Sequence, residues 1–130
     1  MNNEIRITER GWGGHFICAS RCQFRRNTLL EWEDSRIVVS TVGLMQDWRD
    51  DKIETVGCER YYETMAFKAK WEEPYWEADV SKTVCFDSPW SLNEKERESD
   101  WKANKMHEIV ITEVSEQMKT NKVRTYDDID

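Results

Sequence analysis

The apolar positions of this chain change period once, and the change divides it into strand-forming and helix-forming parts. Residues 27–43 read NTLLEWEDSRIVVSTVG, two apolar, β-branched runs flanking the polar trio Glu33-Asp34-Ser35. That pattern predicts a hairpin, and Ile37, Val38, Val39 and Val42 give its second arm the strongest strand character in the chain. Residues 60–71 predict a further strand, with Tyr61, Met65 and Phe67 on one parity and Thr64 and Ala66 on the other. Glu72-Glu73-Pro74 follows as a turn, because proline presets φ and has no N–H for a ladder. Trp76, Ala78 and Val80 then alternate with Glu77 and Asp79 as a half-buried strand requires, and residues 83–86 form a short fifth run.

Beyond this point the period becomes helical. Ala103, Met106, Val110, Val114 and Met118 recur at three- and four-residue spacing, Ile109 and Ile111 widen the stripe, and Glu108, Glu113 and Glu116 face elsewhere. The helix starts at Asn93 or Ser99 and ends near Lys119. Strands grouped ahead of a helix predict an α+β fold: an antiparallel meandering sheet of about five strands packed against a long C-terminal α-helix. The charged stretch 45–54 reads as the longest loop. Residues 1–122 form a single domain on this reading, and 123–130, ending in DDID, a flexible acidic tail.

Composition supports one folded unit. A chain of 130 residues has the length of one domain with its own core. Seven Trp, four Phe and four Tyr exclude the aromatic-poor composition of disordered chains, although only 38% of residues are apolar. The net charge of −7 is unevenly spread: residues 1–30 hold five Arg against two Glu, so residues 31–130 carry −10. An acidic protein repels phosphates, which disfavours direct nucleic-acid binding and favours a basic protein surface as partner. No run of eighteen apolar residues predicts a membrane span, and the opening Met-Asn-Asn-Glu lacks the basic and apolar regions of a secretion signal. The expected location is therefore the cytoplasm, with the four cysteines reduced.

The densest chemistry lies in residues 14–26, GHFICASRCQFRR. His15, Cys18 and Cys22 supply three soft-metal ligands, and Cys58, Cys85 or His107 could close a zinc site. The spacing is not that of two close ligand pairs, and cysteines packed as small core hydrophobes are the competing reading. His107 flanks the apolar helix stripe, where a hydrogen-bonded core histidine competes with a partner for a reactive thiol. Arg21, Arg25 and Arg26, interleaved with Phe16 and Phe24, could touch phosphates and stack on bases, or bridge to carboxylates inside the fold. No complete catalytic motif occurs, which points away from an enzyme.

Carboxylates supply the remaining candidates. Glu31/Glu33 and Glu77/Asp79 each share a strand face, as acid/base couples, cation ligands or a solvated surface. Asp47, Asp50, Asp51 and Glu54, with Trp48 among them, form the better partner-binding surface, since an exposed Trp amid carboxylates can anchor in a basic pocket.

The stretch RGWGGHFICASRCQFRRNTL, followed by IVVSTVG, RYYETMAF, YWEADV and MHE, resembles small proteins encoded by phages and mobile elements, over most of residues 9–110. The resemblance implies the neighbourhood of the anti-CRISPR proteins, which bind Cas effectors and block nucleic-acid access or cleavage. It carries no site residue across. The expected function is inhibition of a host nucleic-acid-handling protein through an acidic surface on Asp47, Trp48, Asp50, Asp51, Glu54, Glu77 and Asp79, without a cofactor. The alternative is a zinc- or thiol-dependent protein centred on His15, Cys18 and Cys22, touching nucleic acid through the three arginines. A homodimeric structural module is a third arrangement.

Overall fold

Two long hairpins dominate the architecture, because their arms carry the β-branched and alternating runs and their turns carry the polar residues. The computed structural model describes residues 4–10, 21–47, 49, 52–56, 60–95 and 99–126. In chain order these form β1 (Arg6–Glu9), β2 (Cys22–Trp32), β3 (Ser35–Gln46), β4 (Ile53–Glu54), β5 (Tyr62–Glu72), β6 (Tyr75–Thr83), β7 (Ser91–Leu92) and α1 (Asp100–Lys119). The strands make one antiparallel sheet in the order β1-β2-β3-β5-β6, with β4 added to β3 and β7 added to β5.

The fold is α+β as expected, with seven strands rather than about five. The three unforeseen ones, β1, β4 and β7, are four, two and two residues long, too short to show an alternating pattern. Residues 83–86 are not a separate strand: β6 runs to Thr83, and Val84 bridges to Thr125. The charged loop shortens, because β3 continues to Gln46 and pairs there with Ile53 and Glu54. Beyond the helix, Cys85 N–H donates to the Arg124 carbonyl at 2.8 Å and Thr125 is buried, so the chain is tied down that far. The DDID tail lies outside the described residues.

The helix lies across β2, β3 and β5 and buries Ala103, Met106, His107, Val110, Ile111, Val114 and Met118. Val110, Ile111, Val114 and Met118 pack on Leu30, Ile37, Val39, Ala66 and Val84. Ala103 and Met106 pack on Phe24, Leu44 and Tyr62. Ile109 falls outside this stripe and is 43% exposed, which corrects its expected place in the core. On the opposite face of β3, Val38 and Val42 are equally buried, and Val42 meets Cys22, Met45 and Val56. The central strand is therefore covered on both sides, which explains a nearly continuous apolar run where one-sided burial would alternate. The sheet also curls, since Arg10 beyond β1 donates to Asn27 on β2 and to the Trp76 carbonyl on β6.

One backbone position has no tolerance for a side chain. The Tyr62 ring lies flat against Gly43 of β3, and a Cβ there would stand 2.8 Å from the ring's Cγ and Cε2. The tyrosine cannot retreat, because it is fully buried and its hydroxyl donates to Asp100 at the start of the helix at 2.8 Å. Gly43→Ala is expected to cost about 1–3 kcal/mol through overpacking, read as a lower urea midpoint; an unchanged midpoint would contradict this packing.

Candidate functional site

The most tightly organised polar chemistry in the molecule joins the helix to the sheet. His107 is fully buried, with Nε2 2.8 Å from Thr28 Oγ1 on β2 and Nδ1 2.7 Å from Thr41 Oγ1 on β3. Thr41 Oγ1 lies 2.6 Å from Thr64 Oγ1 on β5, and Thr28 Oγ1 donates to the Glu9 carboxylate on β1 at 2.9 Å. The directions of these bonds follow from one end. A carboxylate can only accept, so Thr28 spends its proton on Glu9 and must accept from His107 Nε2–H. Nδ1 is then an acceptor, Thr41 donates to it, and Thr64 donates to Thr41. A single chain of donors thus runs from β5 to β1 through a neutral imidazole.

Burial, with the nearby Arg26 charge second, pushes the His107 pKa down to about 3, against a weaker opposing pull from Glu9. Burial tends to raise the Glu9 pKa, but the Arg26 guanidinium and the Thr28 hydroxyl hold it below its ordinary value. Arg26 grips Glu9 at 3.0 and 2.7 Å and reaches Glu108 on the helix at 2.9 Å. The imidazole offers no open approach for a substrate, so the arrangement fastens the helix rather than supplying a general base. Its hydrogen-bond partners are threonines, not the thiol considered for it above.

Of the expected partner-binding residues, the four that are described (Asp47, Glu54, Glu77 and Asp79) each have a local setting of their own. Asp47 is buried, and its carboxylate accepts from the Arg49 N–H at 2.8 Å and from the Arg49 guanidinium. Those bonds, the backbone one first, hold its pKa below the usual carboxylate value. Trp48, Asp50 and Asp51 lie outside the described residues. Glu54 is 3.9 Å from Arg21. Glu77 is half-buried opposite Lys70. Asp79 folds back on its own strand, accepting from the Ser81 hydroxyl at 2.6 Å and its N–H at 3.1 Å, and both bonds lower its pKa. It shapes an interruption in which Asp79–Lys82 of β6 stand opposite the single residue Lys68 of β5, so Glu77 and Asp79 are not neighbours on a flat face.

The arginines and cysteines separate similarly. Arg26 faces the helix, Arg25 is exposed on the opposite face, and Arg21 donates to the Gln46 carbonyl at 3.1 Å, so the three form no common patch. Cys22 is buried among Val42, Met45 and Val56. His15, Cys18 and Cys58 lie outside the described residues, and among the described residues no three His, Cys, Asp or Glu side chains gather as metal ligands.

A surface that sequence reading passed over comes from strand register. β3 and β5 pair with Ile37 opposite Lys68, so the turn at Glu33–Asp34 and the turn at Glu73–Pro74 project from the same end of the sheet. Glu33, Asp34, Glu72 and Glu73 are all exposed there, with Lys70 3.4 Å from Glu72. Trp71 and Tyr75 are 56% and 53% exposed beside them. Trp71 meets Trp76 edge to face at 5.3 Å, and Arg36 lies 5.1 Å over the Trp76 ring, bracing one hairpin on the other. Glu33 holds a positive φ of 52°, a left-handed conformation that costs a non-glycine residue about 1–2 kcal/mol. Helix residues Met118 and Lys119 border the same hollow as Glu33 and Asp34. In the sequence Glu33 pairs with Glu31 and the others read as turn, strand or helix; only the pairing of two hairpins some forty positions apart makes them one surface.

No family model, curated protein or solved structure matches the chain. Among the described residues no helix is long and apolar enough to cross a membrane.

The buried imidazole carries a pH signature. Unfolded, His107 has its ordinary pKa of 6.5; folded, it stays neutral down to about 3. As pH falls the unfolded chain binds the proton first, so this contribution is complete above 6.5 and fades below it, by up to about 1.4 kcal/mol per pH unit. His107→Gln is expected to lower stability by about 1–3 kcal/mol at pH 7.5 through unmatched buried hydroxyls, yet to flatten the dependence between pH 6.5 and 5. Denaturant titrations at pH 7.5, 6.5 and 5 check this, and equal slopes of stability against pH in the two proteins would refute it.

Proposed function

We propose that this chain is a non-enzymatic binding protein that docks the acidic, aromatic end of its two hairpins on a Lys/Arg-lined surface of a host nucleic-acid-handling protein, and that its specific form is an anti-CRISPR inhibitor of a Cas effector. The observation that carries this reading is the adjacency of four exposed carboxylates to Trp71 and Tyr75 at one end of the sheet. Elsewhere many carboxylates are occupied: Glu9 by Arg26, Glu31 by Arg36, Glu63 by Arg60, Glu94 by Lys102, and Glu113 by Ser88 and the Asp87 N–H. Among the described residues, the hairpin end sets four exposed carboxylates together, with Lys70 against Glu72 as the cation beside them. In the loop expected to bind the partner, the Asp47 carboxylate is taken up by Arg49.

The mechanism is competition. Surface carboxylates steer the protein toward cations that otherwise hold phosphate, and the exposed indole supplies a rigid contact once water is excluded. The partner class rests on the net charge of −7 and on the resemblance to phage and mobile-element proteins.

The test measures association with a panel of purified Cas effectors carrying their guides. Reversing Glu33, Asp34, Glu72 and Glu73 to Lys is expected to slow association at least about tenfold at low salt, with the difference shrinking as salt screens it. Unchanged association rates would remove the hairpin end as the interface. Absence of binding by the wild-type chain across the panel would overturn the anti-CRISPR assignment.

A further inference from the structure

At the opposite end of β5 and β6 from the hairpin turns, the sheet opens. β6 leaves β5 after Thr83, β7 joins β5 only at Tyr62 and Glu63, and a cleft of about 220 Å³ forms in the gap. Its walls are aromatic: Phe86, Trp90 and Tyr126 line it, the last two 44% and 60% exposed. Its polar part is an ion pair in which Arg60 donates to Glu63, a carboxylate only 7% exposed, while the Arg60 guanidinium lies 4.7 Å over the Trp90 ring. The Thr83 hydroxyl adds a group that can donate or accept.

We propose that this cleft binds a single heteroaromatic ring system with the chemistry of a nucleobase. Size sets the first limit. Clefts for drug-sized ligands run to roughly 300–1,000 Å³, so this one takes one fused ring rather than an extended molecule. Shape sets the second, since three aromatic side chains around a narrow gap favour a flat ligand that stacks. Polarity sets the third: guanidinium, carboxylate and hydroxyl side by side present both signs of hydrogen-bonding partner. Arg60 and Glu63 hold each other, but a guanidinium has several donors and a carboxylate several acceptor positions. A ring carrying donor and acceptor on one edge therefore adds bonds there that a hydrocarbon cannot make and that indole, with its one donor, makes only in part. The cleft is separate from the hairpin end and stands whether or not that surface binds protein.

The experiment is calorimetric titration of the whole chain with adenosine, guanosine, cytidine and uridine, with indole and an eight-nucleotide single strand as comparators. At least one nucleoside is expected to bind at one site per chain with a Kd of about 0.1 mM, at least tenfold tighter than indole. Tyr126→Ala and Trp90→Ala are each expected to weaken it tenfold or more. Tyr126 is mostly exposed, so its loss should leave the thermal midpoint unchanged and separates lost binding from lost folding. Three results would overturn the proposal: no saturable binding of any nucleoside up to 5 mM (about fiftyfold the expected Kd), equal binding of indole, or affinity unaltered by Tyr126→Ala. Binding confined to the oligonucleotide would also overturn it, in favour of a backbone-reading surface.

Discussion

The deepest polar tie between the helix and the sheet, among the described residues, is one imidazole. His107 sits where three central strands meet the middle of α1, and hydrogen bonds at 2.7 and 2.8 Å connect it to Thr41 and Thr28. Apolar packing presses the helix onto the sheet but leaves it free to slide or turn between nearly equivalent settings. A buried donor and acceptor, each needing its own partner, allow one setting. Glu9 and Arg26 extend that constraint to the outside, since Arg26 holds the carboxylate that orients Thr28 and also meets Glu108 on the helix. Strand β1, four residues long, is thereby tied to the helix as well as to its neighbour β2.

This arrangement divides the molecule's polar residues into those used inside and those left for partners. Many charged groups are internal. Arg10 bridges the curl of the sheet, Asp79 shapes the interruption in β6, Asp47 caps its own turn, and Glu113 holds the chain at Asp87 and Ser88. An overall charge of −7 consequently says little about where a partner would land. Among the described residues, Glu33, Asp34, Glu72 and Glu73 stand exposed together where the two hairpins end, which is why the proposed docking surface is placed there. The positive φ of Glu33 fits the same view: glycine would hold that backbone without strain, yet the position carries a carboxylate.

What could be read from residues alone follows from how far each feature depends on distant pairing. The helix was legible because one-sided burial writes its period directly into Ala103, Met106, Val110, Val114 and Met118. The β2–β3 hairpin was legible because its turn and arms are contiguous. His107 could be recognised as a polar residue beside an apolar stripe, but Thr28, Thr41 and Thr64 read only as strand formers. Their role appears when β2, β3 and β5 align. The interruption at Asp79–Lys82 was hidden because the alternation of Trp76, Ala78 and Val80 runs into it unbroken, although Val80 is 65% exposed there. The juxtaposed turns were hidden for the related reason that the register of Ile37 against Lys68 is a long-range fact. The short strands β4 and β7 exist only because β3 and β5 offer them an edge.

The central claim is that His107 is a locked structural hinge-pin, neutral and protonated on Nε2, that holds the helix to the sheet. Nitrogen-15 NMR of the imidazole, followed from pH 7.5 to 4.5, tests it most directly. The account predicts an Nε2–H tautomer with a slowly exchanging proton and no titration across that range while the chain stays folded. A midpoint near 6.5, or a proton on Nδ1, would contradict it and return His107 to the list of groups available for chemistry.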